Sequence, residues 1–224
     1  MHVDLEDLDP SAVYHLLTQA VVPRPIAWVV TDNGTGDGTG AGATGASSRW
    51  NVAPYSFFNA VASEPPTVAF SVGRSPRPEP EGGAVKDTLA NLQQRGRHTV
   101  ALAHHGQLEE VEATAAPLPP GRGELEHAGL DAVDWGWDVP RPSGVRIALG
   151  CDLDRVVPVG DGPQRLVLAR VRLVWVDDAA VEEDAKGRPR LDPRRLDPLA
   201  RLGAGVYGRL GAVDRPQRPA HRAP

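Results

Sequence analysis

Cysteine, methionine and aromatic residues are scarce in this chain: 224 residues contain one Cys and one Met, and Phe, Trp and Tyr together make up 5%. A single thiol, Cys151, excludes an internal disulfide and the cysteine pairs of a structural zinc site, and it points to a reducing compartment, the cytoplasm. Long apolar runs are missing as well. None approaches the roughly 18 residues of a membrane-spanning helix, and residues 1–10 are acidic, unlike a secretory leader. An excess of positive charge is also absent: 24 Lys and Arg stand against 29 Asp and Glu, for a formal net charge of -5 and a pI near 5.8. Without a basic face to neutralise phosphates, a dedicated nucleic-acid binder is excluded. The expected partner is a small molecule, with neither nucleic acid nor membrane involved.

Glycine and proline, by contrast, are abundant at 24 and 22. Their share stays under the roughly 25–30% of a low-complexity chain, so they concentrate in particular loops. Two such loops stand out, residues 33–48 ("NGTGDGTGAGATGASS") and residues 73–83 ("GRSPRPEPEGG"). The first contains G-x-G-x-x-G at Gly40, Gly42 and Gly45. A dinucleotide fingerprint needs a strand running into the glycines and a helix opening out of them, whereas these sit inside a long insert, so a flexible hairpin tip is the better reading. The length suits one domain over residues 1–213, with residues 214–224 as a disordered tail.

Periodicity places strands at residues 26–31, 66–72, 99–103, 145–159 and 166–176, the last with Val167, Ala169, Val171, Leu173 and Trp175 on one face and Arg170 and Arg172 on the other. "GDGP" at residues 160–163 reads as a hairpin turn. Short helices are predicted at residues 11–20, with Ser11 as cap and Val13, Leu16, Leu17 and Ala20 on one face, and at residues 86–96, with Asp87 as cap. Others are predicted at residues 107–115, 124–130 and 196–202. With residues 51–73 read as two strands, the second at 66–72, about six locally connected strands predict an antiparallel barrel rather than a doubly wound sheet.

Residues 51–73, "NVAPYSFFNAVASEPPTVAFSVG", combine aromatic surface with hydrogen-bonding tips, and Pro54 cannot donate to a ladder, so this backbone is expected at an edge or bulge. Tyr55, Ser56, Phe57 and Asn59 suit a flat ligand with a polar rim. Phe57 and Phe58 cannot share a strand face, so one of them belongs to the core. His104 and His105 read as exposed loop residues with no zinc spacing, and Cys151 as a buried thiol.

"VVPRPIAWVVT", "NVAPYSFFNAV", "PPTVAFSVG", "KDTLANL" and "ARLGAGVYGRL", in this order over residues 22–210, resemble the flavin reductase-like, FMN-binding split β-barrel family. The resemblance implies a mainly β fold, a six-stranded antiparallel split β-barrel of Greek-key type with short peripheral helices. It further implies a homodimer that binds FMN near its interface and takes a hydride from NADH or NADPH, with a monooxygenase component as one outlet for reduced flavin. By the same resemblance Pro54, Tyr55, Ser56, Phe57 and Asn59, with Ser71 and Val72, face the flavin ring. Lys86 and Thr88 hold its phosphate at a helix start. Arg24, Asn51 and Tyr207 are further cofactor-binding candidates, although Arg24 and Asn51 would equally close turns and Tyr207 would equally pack across a dimer. Hydride transfer to flavin requires no protein acid or base, so no catalytic residue is named.

Three departures from the family pattern are visible: the two long loops, and Ala101 where relatives carry asparagine. They keep open two alternatives, an FMN-binding carrier, sensor or partner without NAD(P)H turnover, and a flavoenzyme acting on its own organic substrate.

Overall fold

A computed structural model describes residues 2–34, 49–75, 85–119 and 122–214. Helix α1 (Pro10–Ala20) leads into strands β1 (Arg24–Pro25), β2 (Ala27–Asp32), β3 (Trp50–Tyr55), β4 (Phe58–Ser63) and β5 (Pro66–Val72). Helix α2 (Asp87–Arg95) and strand β6 (Arg97–Leu102) follow, then a 3-10 turn at His105–Gln107 and helices α3 (Leu108–Ala113) and α4 (Glu124–His127). Short strands β7 (Ala132–Val133) and β8 (Arg141–Pro142) precede the long hairpin of β9 (Ile147–Pro158) and β10 (Arg165–Val176). The chain closes with β11 (Val181–Glu183), β12 (Pro189–Leu191), α5 (Pro193–Leu196), β13 (Ala200–Gly203) and β14 (Val206–Gly208).

Seven strands form one antiparallel sheet in the order β3-β2-β6-β9-β10-β5-β4. Residues 51–73 therefore supply three strands rather than two, and the first two, β3 and β4, lie at opposite edges of the sheet. Only Ser56 and Phe57 separate them, so three Cα steps, about 11 Å at most, span from one edge to the other. The sheet has to curl until its edges meet there, which makes it a split barrel. Pro54 sits on the edge strand β3, where its missing N–H costs no ladder bond to a second neighbour.

Strand β2 is buried along its whole length because both of its faces are covered. Ala27 and Val29 join an inner cluster with Phe70, Val100 and Val167, into which α2 inserts Leu89 and Leu92. Trp28 and Val30 join an outer cluster with Val111 of α3 and Leu125 of α4. Each buried Val, Leu or Phe side chain contributes about 1.5–3 kcal/mol, so this two-sided burial rigidifies the strand beside the site.

Several expectations need correction. The cap of α1 is Asp9, whose carboxylate accepts from Ser11 N–H (2.9 Å) and Ala12 N–H (3.0 Å), with Pro10 in the first turn. Its apolar face is not core: Leu16 and Leu17 are 39% and 45% exposed, and Thr18 is the buried residue of the helix. Lys86, not Asp87, occupies the cap position of α2. In β10 a bulge at Arg172 resets the alternation, since Val171 faces Cys151 while Leu173 faces the next residue, Gly150. Val167 and Ala169 thus point into the inner cluster, whereas Trp175 packs on the outer one and Leu173 is exposed.

Residues 196–202 are not a helix. Pro198 disfavours a helical residue before it, Asp197 takes φ +44°, and the chain continues as β13 between β1 and β14. His104 and His105 are half-buried rather than exposed, with His104 Nδ1 accepting from Gly106 N–H at 3.0 Å. Cys151 is buried, and burial pushes its thiol up to about 12. Residues 35–48 and 76–84 of the two long loops, and 215–224 of the expected tail, lie outside the described residues.

Candidate functional site

A cleft opens between edge strand β3, the start of α2 and the segment after α3. Asn51, Pro54, Tyr55, Lys86 and Thr88 line it, so five of the sequence-predicted residues, from two distant segments, meet at one place. Lys86 precedes the first turn of α2 with an extended backbone, and its carbonyl accepts from the Leu89 (3.0 Å) and Ala90 (3.1 Å) N–H groups. Its Nζ lies 5.3 Å from the centroid of the Tyr55 ring, and no carboxylate among the described residues pairs with it. Burial alone lowers the pKa of this ammonium. A partly desolvated cation at a helix N-terminus is an anion site in both charge and geometry.

The floor is polar and fixed. Asn51, itself buried, donates its amide to the hydroxyls of Thr31 (3.1 Å) and Thr88 (2.9 Å). Because Thr88 accepts there, its own proton is left to donate. Asn91 of α2 donates in turn to Thr31 (3.1 Å) and to the side-chain oxygen of Asn33 (2.8 Å), so β2, β3 and α2 share one network. Tyr55 packs on Phe70 with ring centroids 5.5 Å apart. Its hydroxyl is buried, with the Thr88 hydroxyl as its polar neighbour but no hydrogen bond of good geometry among the described residues, and burial raises the phenol well above its ordinary value.

The far wall was not visible in the sequence. Glu124 Oε2 accepts the Val52 N–H at 2.8 Å, capping the open edge of β3 from α4. Thr114, after α3, accepts from Trp28 Nε1 at 2.8 Å and donates to the Val111 carbonyl at 2.9 Å, which sets the path of residues 114–118 along the cleft. Neither residue belongs to a local motif, and the segments they meet are 72 and 86 positions away.

The other predicted residues lie elsewhere. Arg24 is buried, and its guanidinium donates to the Thr18 and Val21 carbonyls, tying the end of α1 to β1. It also reaches Ser56 Oγ at 3.5 Å and lies 5.9 Å from the Phe57 ring centroid, so Arg24, Ser56 and Phe57 form a second group at the β3–β4 link. Phe57 is 42% exposed, while Phe58 packs against the inner cluster. Ser71 N–H donates to the Phe57 carbonyl (2.9 Å), and Ser71 Oγ accepts from Gln164 (2.6 Å). Val72 is wholly buried in the inner cluster, and Asn59 is exposed on β4, where its side chain accepts from Ala60 N–H. Tyr207 donates to Glu112 and lies under the Arg201 guanidinium, 4.2 Å from its ring centroid, outside the cleft lining. Burial and the bond to Glu112 push its phenol up to about 12.

The described residues enclose about 110 Å³ in this cleft, below the roughly 300–1,000 Å³ of a cofactor-sized pocket. No helix among the described residues is long and apolar enough to cross a membrane.

Comparison with known proteins relates the chain to others over nearly its whole length. The chain is 33% identical over 224 residues to protein BH2278 of Halalkalibacterium halodurans, covering 96% of this chain and 97% of that one. It is 30% identical over 211 residues to YwrF of Bacillus subtilis, covering 92% and 93%. Among solved structures it is similar to nitrilotriacetate monooxygenase component B from Bacillus cereus, with a TM-score of 0.79, 30% identity and coverage of 96% and 98%. It is also similar to 2-nitrobenzoate 2-nitroreductase NbaA of Pseudomonas fluorescens, with a TM-score of 0.77, 25% identity and coverage of 100% and 98%. Residues 19–197, which carry the barrel, α2 and the whole cleft, match the flavin reductase like domain, and the chain belongs to that family.

Proposed function

We propose that this chain binds FMN in the cleft between β3 and α2 and acts as a flavin reductase supplied with hydride by NADH or NADPH. The observation that carries the reading is Lys86, a half-buried ammonium with no carboxylate partner among the described residues, at the start of a helix and over the Tyr55 ring. These residues fit the phosphate end of FMN: Lys86, the Thr88 hydroxyl and the first amides of α2 would hold it, while Asn51 keeps Thr88 oriented. Pro54 and Tyr55 would line the ring side, with Ser56, Phe57, Asn59 and Ser71 along the open β3–β4 link. Arg24 would act there through Ser56 and Phe57. FMN, when bound, supplies a ring that accepts a hydride; the chain's part is to orient that ring, exclude water from one face and stabilise negative charge.

The open side calls for a second copy. Tyr14, Leu16, Leu17 and Val21 of the α1 region are exposed, as are Phe57 and Val61, and Tyr14 and Phe57 touch with ring centroids 6.2 Å apart. An apolar surface of this kind, next to an incomplete site, supports a homodimer. Similarity to a monooxygenase component B supports delivery of reduced flavin to a monooxygenase. Similarity to a nitroreductase favours a second reading, in which bound flavin reduces a small organic acceptor in the same site. A lone, buried thiol is in keeping with a cytoplasmic setting.

The test is the visible spectrum of the purified protein after incubation with FMN and desalting, followed by anaerobic NADH and then NADPH. Retained flavin that bleaches supports the reading. Retained flavin that stays yellow with both nucleotides removes reductase turnover and leaves a carrier, sensor or partner. No retained flavin, with no FMN-dependent nucleotide oxidation, overturns it.

A further inference from the structure

Away from the Lys86 cleft, the Arg141 side chain forms no hydrogen bond and no ion pair among the described residues, and its Nε is buried without a partner. Its guanidinium carbon lies 3.8 Å from the centroid of the Trp175 ring, a stacked cation over an aromatic face. The two residues form one side of a cleft of about 330 Å³ that shares no residue with the Lys86 cleft. Val145 and Val176 give it apolar surface, and Asp177 and Asp178 complete it.

Each part is held by the framework. Arg141 sits on β8, paired with Val133, and Trp175 on β10, paired with Ala148. Asp177 is anchored by its own N–H to the Arg146 carbonyl (3.0 Å) and by its carboxylate to Ala179 N–H (2.9 Å). Asp177 is near enough for its charge to act on Arg141, yet no carboxylate comes within 4.0 Å of the guanidinium. The cation and the acids thus face a shared space without closing on each other.

We propose that this cleft is a second binding site, for a small zwitterion of the α-amino acid class with an apolar side chain. A guanidinium with unused N–H groups fits a carboxylate through two parallel hydrogen bonds. Asp177 and Asp178 repel a second negative charge, which argues against phosphate, and attract an ammonium a few ångströms from the carboxylate. The valines and the volume accommodate a branched aliphatic side chain.

Isothermal titration calorimetry on the full-length, FMN-loaded protein tests this with L-leucine, 4-methylpentanoate, which lacks the ammonium, and 3-methylbutylamine, which lacks the carboxylate. L-Leucine is expected to bind, with each half-analogue about tenfold weaker or more, as the loss of a charge-assisted bond implies. Arg141→Lys keeps the charge but not the fork, and it is expected to weaken L-leucine about tenfold while retaining flavin. Asp178→Asn, a milder change, is expected to weaken L-leucine and leave 4-methylpentanoate unaffected. Equal affinity for 4-methylpentanoate and L-leucine would reduce the site to an anion fork and overturn the proposal. So would undiminished L-leucine binding in both variants, or no heat from any protein α-amino acid at about 10 mM.

Discussion

Asn51 on the edge strand donates to the Thr88 hydroxyl in the first turn of α2 across 2.9 Å, joining the barrel rim to the helix that faces the cleft. Both side chains are buried. Asn51→Ala leaves the Thr88 hydroxyl without its donor, while Asn91 still holds Thr31, and so loosens the tie between β3 and α2. It is expected to cost about 1–3 kcal/mol in urea unfolding and to weaken FMN binding about tenfold in a fluorescence titration. A stability loss with unchanged FMN affinity would limit Asn51 to the framework.

Lys86→Met keeps the apolar stem and removes the charge. FMN affinity should fall threefold or more, while thermal stability stays level or rises slightly, because burial makes the ammonium unfavourable to hold. Unchanged affinity removes Lys86 from the site.

His98 is fully buried, with Nε2 unpaired and Nδ1 3.1 Å from the Gly96 carbonyl; burial lowers its pKa to about 4. The unfolded imidazole takes up a proton near pH 6.5, and the folded one does not until about pH 4. Stability is therefore lost as pH falls from 6.5 towards 4, by roughly 3 kcal/mol in total, and levels off below that for this group. Urea midpoints between pH 7 and 4 measure the slope, and His98→Gln should flatten it.

Thr114→Val is nearly isosteric but strands the buried Trp28 indole N–H. A loss of about 1–3 kcal/mol is expected, with a weaker hold on FMN because residues 114–118 form the cleft wall. Wild-type thermal stability would show that the indole finds another acceptor.

Tyr207→Phe removes the hydrogen bond to Glu112 and leaves the ring under Arg201. Since Tyr207 does not line the cleft of its own chain, FMN affinity should change less than twofold. A larger drop would mean that Tyr207 reaches the flavin of a second copy.

Much of the site was legible because its parts sit in short motifs. Pro54 announced an edge strand, "NVAPY" carried Asn51 and Tyr55, and "KDT" put Lys86 and Thr88 at a helix start, and the structure brings all five together. The alternation Val68, Phe70, Val72 already read as core, and Val72 is core. Arg24 was harder: "PRP" fits a ligand contact or a turn closure equally, and its guanidinium goes to backbone carbonyls at the end of α1. Glu124, Thr114 and the Glu112–Tyr207 pair were invisible, since their partners are 72 to 95 positions away.

The sequence by itself determined the predominance of β structure, the start of α2 and the polar, aromatic character of residues 51–59. Those features follow from propensity, proline geometry and spacing over a few residues. Only the tertiary structure decided that β3 and β4 lie at opposite edges joined by two residues, that the bulge at Arg172 turns Trp175 outward, and that Arg141 meets Trp175 in a cleft with Asp177 and Asp178. Register, curvature and closure depend on the packing of segments far apart in the chain, and no local pattern encodes which pairs will meet.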